Sequence, residues 1–196
     1  MYMDSKESIS CPVCGATAKI FGHTHYLCSK CDWDSMVNTI DISYADPESA
    51  SLSNLYPHPF TFYMEDGDYA ECASMESFIQ SLRVSDPKLQ KEICKNYSGY
   101  AAYKLRLSLN DWRKEGIVYW NGRAIYRQSD AYTELITKAY DCLFEGNEVF
   151  RKLVLPHFKG KHLIHSIGCN TECETLLTPK EYLFQLRRLM ERKDFD

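Results

Sequence analysis

The chain has 196 residues with 23 basic and 27 acidic side chains, a formal net charge of −4, 44% hydrophobic residues and 13% aromatic residues. This length allows one full hydrophobic core and a small additional module, which excludes a large multidomain assembly. No segment approaches the ~18 consecutive apolar residues of a membrane-spanning helix, and residues 1–10 lead into no apolar signal core, so we expect a cytoplasmic protein without a membrane partner.

Two cysteine pairs near the N-terminus predict a metal site. The chain has nine cysteines, an odd number that fits a reducing compartment better than a disulfide framework. Two Cys-x-x-Cys turns lie at the spacing of a four-thiolate zinc site. The predicted ligands are Cys11, Cys14, Cys28 and Cys31. Because cysteine fills all four positions, the zinc is predicted to be structural and to fold residues 1–40 as a small β zinc ribbon.

The sequence leaves two features of this ribbon undecided, namely the identity of all four metal ligands and the binding partner. His23 and His25 lie between the cysteine pairs and could replace one thiolate, although the spacing favours four cysteines. Residues 1–40 contain more acidic than basic side chains, and a four-thiolate zinc site adds further negative charge. A negatively charged module does not suit binding to a phosphate backbone. The partner of the ribbon is therefore unknown, and a specific contact with a base or a contact with a protein both remain possible roles.

After the ribbon, residues 41–51 are polar and contain a proline and three serines, which predicts a linker. The apolar run Phe60–Tyr63 predicts the first strand of a hairpin that turns at residues 65–68 and returns through Tyr69–Cys72. Helix starts follow at Asp86, which precedes a proline, at Ser129 and at Thr178. Residues 52–196 are therefore predicted to form an α+β domain, mainly α-helical with a small sheet.

Basic and aromatic residues are interleaved over residues 88–127. This window holds nine basic against three acidic side chains, together with five tyrosines and two tryptophans. Such a mixture suits phosphates and stacked bases. The alternative is an ordinary helix whose basic residues face solvent and whose aromatic residues pack in the core, because most runs of charged residues are solvent-exposed helix faces.

Residues 74–83 predict a helix with an unusual polar stripe. Apolar residues occupy one face, whereas Glu76, Gln80 and Arg83 share a second face and serines fill the third. A surface helix would carry Lys and Glu on that third face, so we infer a buried helix that holds the three polar groups against a cavity. An internal Glu76–Arg83 ion pair is the alternative.

Five short blocks of the sequence, in this order, resemble the NADAR (YbiA-like) family. They are residues 52–57 (LSNLYP), 75–82 (MESFIQSL), 119–122 (YWNG), 165–168 (HSIG) and 175–178 (TLLT). The resemblance implies a NADAR-like, mainly α-helical N-glycosidase domain, that is, a hydrolase of the ADP-ribosylglycohydrolase type. Its substrate would be an ADP-ribosylated nucleic acid, such as DNA modified on guanine, or an ADP-ribose-like small molecule. The role of such an enzyme would be to reverse ADP-ribosylation of nucleic acid, as a phage counter-defence in the host cytoplasm.

The resemblance also implies roles for single residues. Asn54 and Tyr56 would shape the ribose pocket, Trp120 would stack on the substrate and Arg123 would contact phosphate. His165, Ser166 and Gly168 would lie near the leaving base, and Gln80 would bind substrate beside the catalytic Glu76. Arg83 stands where the family usually has a nucleophilic lysine, and a guanidinium that stays protonated cannot form a Schiff base.

A mechanism follows from these roles. Cleavage of an N-glycosidic bond builds positive charge on the anomeric carbon, which the Glu76 carboxylate would stabilise, while His165 would donate a proton to the base. Arg83 would then bind the diphosphate or stabilise charge. Two alternatives stay open, namely a module that binds ADP-ribose without turnover and a zinc-anchored interaction protein with a filled core.

Overall fold

The computed structural model describes residues 8–11, 14–20, 25–31, 33–36 and 38–192. Strands β1 (Ser8–Ser10), β2 (Thr17–Ile20) and β3 (Tyr26–Cys28) form an antiparallel sheet in that order. This sheet builds the N-terminal module and packs around the buried Cys11, Cys28 and Trp33.

The remainder of the described chain is a mixed α/β body with three two-stranded sheets. Its strands are β4 (Thr39–Asp41), β5 (Phe60–Tyr63), β6 (Tyr69–Cys72), β7 (Ile117–Trp120), β8 (Arg123–Tyr126) and β9 (His162–Ile164). Its helices are α1 (Met75–Ser81), α2 (Pro87–Asn96), α3 (Gly99–Lys104), α4 (Asp130–Gly146), α5 (Leu155–Phe158) and α6 (Pro179–Met190). A π-helical turn spans Phe150–Val154. The predicted combination of helices with small sheets is confirmed.

Local signals placed several elements correctly. The predicted hairpin is β5–β6, which pairs in antiparallel register from Phe60 opposite Cys72 to Tyr63 opposite Tyr69. The Asp86 side chain accepts the backbone N–H of Lys88 at the start of α2, and Ser129 does the same for Tyr132 at the start of α4. Thr178 and Glu181 form the capping box that begins α6.

Helix α1 is shorter than predicted. Ser74 and Ser77 cap its start, but the helix ends at Ser81, so Arg83 lies in the following turn and not on the helix. The apolar face is buried as expected: Phe78 is 0% exposed and its ring lies 5.0 Å from that of Phe62. One face of α1 therefore belongs to the main hydrophobic core.

The segment predicted as a linker, residues 41–51, packs against the core. Ile42 and Ser49 are both 0% exposed, and Ser49 hydrogen-bonds the Ser43 backbone N–H at 3.0 Å. The serines of this segment satisfy backbone groups in a buried turn instead of exposing a flexible chain. Just before it, β4 pairs in parallel with β9, so the segment is held close to the C-terminal half.

Among the described residues, no helix combines the length and the apolar character needed to cross a bilayer.

A buried charge pair joins the β8–α4 connection to α6. Arg127, 2% exposed, donates from Nη2 to Glu181 Oε2 at 2.6 Å and from Nε to the Thr175 carbonyl at 3.0 Å. Burial raises the pKa of Glu181, but hydrogen bonds from Arg127 and Thr178 outweigh it, so the net pKa is lowered. Arg127 is therefore occupied within the fold.

We predict that Glu181→Gln lowers the free energy of unfolding by about 3 kcal/mol at neutral pH, because it leaves the Arg127 charge buried without a partner. The lowered pKa means that the pair stabilises the fold above about pH 4.3 and that this contribution is lost as the pH falls through the folded-state value. Urea unfolding at several pH values measures both effects. The control is Glu148→Gln, which breaks an exposed pair with Lys152; an equal loss in both variants would contradict the prediction.

Candidate functional site

A cavity of about 440 Å³ opens between α1, α3, the start of α6 and the loop that follows β9. Its polar lining comes from segments far apart in sequence. These residues are Ser43, Tyr44, Ser53, Asn54, Glu76, Gln80, Arg83, Tyr100, Tyr103, Arg106, Arg113, His165, Cys169, Glu174, Thr175, Thr178 and Tyr182. No other described recess collects as many titratable groups around unpartnered buried polar atoms.

Two other recesses are larger but chemically weaker. One of about 620 Å³ lies beside β5 and β6, where its charged residues Lys95 and Glu71 already pair at 2.6 Å. Another of about 590 Å³ lies along β8 and α4 and is lined by Trp120 and Arg123. Neither contains a buried polar atom without a partner among the described residues. The 440 Å³ cavity is therefore the candidate site.

Helix α1 places Glu76 and Gln80 one turn apart at this cavity. Gln80 Nε2 donates to Glu76 Oε1 at 2.8 Å, which is the contact expected for residues four positions apart on a helix. Gln80 is 5% exposed, and its Oε1 has no hydrogen-bond partner in the described chain. An unsatisfied buried acceptor costs about 1–3 kcal/mol, so this oxygen calls for a donor from a ligand or from water.

Arg83 is a buried cation at the cavity wall without an ion-pair partner among the described residues. The residue is 5% exposed, its Nε has no acceptor, and no carboxylate oxygen of the described residues lies within 4.0 Å of its guanidinium. The alternative prediction of a Glu76–Arg83 ion pair is therefore wrong. Burial lowers the pKa of Arg83, and the charge of Arg113 lowers it further. A buried cation in this position favours an anionic ligand.

The Glu76 carboxyl group is partly buried at the cavity wall. Burial raises its pKa, against the opposing effects of the Gln80 hydrogen bond and the Arg83 charge. Its backbone N–H donates to the Asn54 carbonyl at 2.9 Å, while Asn54 Oδ1 accepts the Tyr140 hydroxyl at 2.7 Å. The preceding loop and α4 thus fix the start of α1, and Glu76 is a positioned carboxylate poised to accept a proton.

His165 lines the same cavity from the loop after β9. Its Nδ1 lies 2.7 Å from the Ile42 carbonyl oxygen, which can only accept, so Nδ1 carries a proton. Nε2 is then the nitrogen that can gain or lose a proton. Ser166 anchors the loop, because its N–H donates to Asp41 Oδ1 at 2.9 Å and its hydroxyl donates to Asp41 Oδ2.

The structure brings together six of the residues predicted for this site. They are Asn54, Glu76, Gln80, Arg83, His165 and Gly168. Gly168 has a φ of +118°, and an added Cβ would lie 3.3 Å from Pro179 Cγ, so glycine lets the loop pack on α6. Ser166 faces Asp41 instead and holds the loop in place.

Three residues assigned to substrate binding lie elsewhere. Trp120 is 8% exposed and packs 4.9 Å from the Phe78 ring, so it serves the hydrophobic core. Arg123 is exposed on β8 beside the 590 Å³ recess. Tyr56 packs on His58, at 4.7 Å between ring centroids, on another side of α1. Short sequence blocks cannot indicate which side of a strand or loop faces a cavity, so they did not separate these three residues from those that line it.

Sequence reasoning did not assign the aromatic and basic residues of the opposite wall. Tyr100 and Tyr103 on α3 line the cavity together with Arg106 and Arg113. All four lie within residues 88–127, where basic and aromatic residues are interleaved. That composition was the sequence signal that could have identified this wall of the cavity. The window does not form one surface, however, because Lys91, Lys95 and Arg127 are each paired with a carboxylate.

Four cysteine sulfurs form a second candidate site in the N-terminal module. Cys11, Cys14, Cys28 and Cys31 place their Sγ atoms within 4.8 Å of one another, with separations of 3.5 Å (Cys11–Cys31) and 3.6 Å (Cys14–Cys28). A tetrahedral ion with metal–sulfur bonds of about 2.3 Å needs separations of about 3.8 Å, so this cluster could bind a metal ion.

His25, one of the two histidines weighed as alternative ligands, does not join this cluster. The imidazole of His25 contacts Asp34, with Nε2 2.7 Å from Oδ1. His23 lies outside the described residues.

Comparison with known proteins concerns the body that contains the cavity. A family model described as "Bacteriophage protein GP30.3" matches residues 47–192. The "Uncharacterized 17.1 kDa protein in Gp30-rIII intergenic region" of Enterobacteria phage T4 is 33% identical over 144 residues, which cover 73% of this chain and 90% of that protein. No solved structure matches. The predicted NADAR membership is wrong, because the matching family is that of GP30.3.

We predict that inorganic pyrophosphate binds at Arg83 and raises the thermal midpoint. At about a hundredfold excess over Kd, the shift should be roughly 5 °C or more. Arg83→Met removes this shift, because it deletes the buried charge that the anion compensates. Arg123→Met, an exposed arginine outside the cavity, keeps it. Thermal unfolding with and without pyrophosphate measures the shift of the midpoint in each variant. An unchanged shift in Arg83→Met would mean that the anion binds elsewhere.

Proposed function

The chain belongs to the bacteriophage GP30.3 protein family, and we propose that its cavity hydrolyses the N-glycosidic bond between an ADP-ribosyl group and a nucleobase. ADP-ribosylated guanine in DNA is the substrate to test first. Action in the cytoplasm of an infected host would reverse such a modification of nucleic acid. The observation that carries this proposal is the uncompensated Arg83 guanidinium beside a carboxyl group, Glu76, whose pKa is raised.

The reaction assigns one task to each cavity group. The bond between C1′ and the base nitrogen breaks, and its electron pair stays on the nitrogen, which takes a proton from doubly protonated His165. Glu76 accepts a proton from water as the water oxygen bonds to C1′, and the carboxylate stabilises positive charge at that carbon. One water molecule is consumed, and the products are free ADP-ribose and the unmodified base.

Charge and size support a substrate that carries a diphosphate. Arg83, Arg106 and Arg113 bring three guanidinium groups to the lining, and guanidinium groups bind phosphate oxygens through paired hydrogen bonds. The volume of about 440 Å³ lies in the range of small-molecule sites. Since Arg83 stays protonated, its role is to hold phosphate, and the proposed reaction needs no amine nucleophile.

A second candidate is a module that binds the ligand without turnover. The unpartnered Arg83 Nε and Gln80 Oε1 favour it, because an anionic ligand with a hydroxyl group would satisfy both atoms without any reaction. The two candidates differ only in the fate of the bond, so product analysis separates them.

We predict that Glu76→Gln reduces hydrolysis of an oligonucleotide with ADP-ribosyl guanine by about 10²–10⁴-fold, measured as free ADP-ribose released. In the wild type the rate rises with pH as the carboxyl group loses its proton, at a pH above the ordinary glutamate value of about 4.3. Glu71→Gln, on the β5–β6 hairpin, should keep the rate. Full activity of Glu76→Gln would refute the mechanism. If the wild type binds the substrate tightly but releases no product, the result would favour the binding module.

The same variant tests the electrostatics of the cavity. The folded state holds the Glu76 proton more tightly than the unfolded state, so stability falls as the pH rises from the unfolded-state pKa through the raised one. At neutral pH the buried carboxylate therefore costs stability, and Glu76→Gln should raise the thermal midpoint while it lowers activity. A lowered midpoint would contradict this account of the raised pKa.

We infer that the ion of the thiolate cluster is zinc in a structural role. Four cysteine sulfurs at nearly tetrahedral separations suit zinc, and they leave no position for a reactive water. The cluster precedes residues 47–192, the part matched by the family. When bound, the ion would hold the ends of the three-stranded sheet together.

We predict one zinc ion per chain by elemental analysis of the purified protein. Cys14→Ser should lose zinc, whereas Cys142→Ser, a half-buried cysteine outside the cluster, should keep it. Pyrophosphate binding should survive in both variants because the cavity lies in the other part of the chain. Absence of zinc from the wild type, or equal loss from both variants, would overturn the assignment.

A further inference from the structure

Helix α3 exposes two tyrosines at the mouth of the cavity. Tyr100 is 52% exposed and Tyr103 is 38% exposed, and both line the opening. Residues three positions apart lie on the same side of a helix, so the two rings belong to the same face of α3. These two residues are called the α3 tyrosines below. By contrast, Trp112 and Trp120 of the same basic window are buried in the core.

The surroundings of the α3 tyrosines are positively charged. Residues 96–110 contain Lys104 and Arg106 and no acidic residue, whereas Lys95 pairs with Glu71. The Arg106 guanidinium lies 4.2 Å from the centre of the Tyr103 ring, and Arg106 also lines the cavity. Planar aromatic and guanidinium groups beside basic charge are the components with which proteins bind single-stranded nucleic acid.

The backbone holds this surface close to the catalytic groups. Gly99 begins α3 with a φ of +55°, and an added Cβ would lie 3.3 Å from the Tyr44 hydroxyl oxygen and 3.6 Å from the Leu55 carbonyl. Glycine therefore lets α3 approach the segment that precedes α1. The Tyr44 ring supports Tyr100 edge-on, with 5.2 Å between ring centroids. The α3 tyrosines thus belong to a defined wall of the cavity.

We propose that the α3 tyrosines bind a single strand of nucleic acid by stacking on its unpaired bases, so that the modified nucleotide enters the cavity. The inference rests on the proposed function, because it identifies the polymer as the substrate of the same cavity. A single strand fits because its bases can unstack onto aromatic side chains, whereas the bases of a duplex are already stacked on one another. The neighbouring lysine and arginines match the phosphates of the strand.

Fluorescence anisotropy of the full chain with a labelled, unmodified DNA strand of about twelve nucleotides tests the proposal. Tyr100→Ala and Tyr103→Ala should each weaken binding about fivefold or more, whereas Tyr100→Phe and Tyr103→Phe should keep it because phenylalanine still stacks. Tyr69→Ala is the matched control, since Tyr69 is also 52% exposed but lies on the β5–β6 hairpin. Thermal unfolding verifies that each variant is folded.

Equal binding of the wild type and both alanine variants would overturn the proposal, as would equal loss in Tyr69→Ala or preference for a duplex or anionic vesicles. Hydrolysis of an ADP-ribosyl mononucleotide separates the two claims. If strands bind through the α3 tyrosines but neither substrate is cleaved, only the proposed function fails. If the mononucleotide is cleaved and the alanine variants bind the strand as tightly as the wild type, only this inference fails.

Discussion

The buried charge of Arg83 is the constraint on which the functional account depends. A guanidinium that is 5% exposed, with Nε unpartnered and no carboxylate among the described residues within 4.0 Å, is costly for a fold that needs only stability. Arg127 shows how the same chain treats a structural arginine, because that side chain pairs with Glu181 at 2.6 Å. The difference between the two residues is the basis of our proposal that an anion completes the Arg83 site.

Helix α1 connects stability with chemistry, since its two faces serve different purposes. Phe78 packs in the aromatic core and fixes the helix, while Glu76 and Gln80 extend into the cavity from the opposite side. The cost of an uncompensated guanidinium and of a buried carboxyl group is offset by the large core that surrounds the helix. The cluster of four cysteines that could bind a metal ion lies outside the region matched by the family.

Much of the fold could be predicted where the signals are local. Capping residues and alternating apolar patterns placed the β5–β6 hairpin and the starts of α2, α4 and α6, because those signals act within a few residues. The β4–β9 pairing joins distant segments and leaves no local trace. The site was predicted where side chains share a helix, as Glu76 and Gln80 do. Trp120 was misplaced, and the family was misidentified, because blocks of four to eight residues record local preferences and not burial or ancestry.

The most direct test is a crystal structure of the protein soaked with ADP-ribose. The account predicts diphosphate oxygens within hydrogen-bond distance of the Arg83 guanidinium, a ribose hydroxyl donating to Gln80 Oε1, and the anomeric carbon facing the Glu76 carboxylate. A ligand bound elsewhere, or an Arg83 side chain that turns to pair with a protein carboxylate while the cavity holds only water, would contradict it.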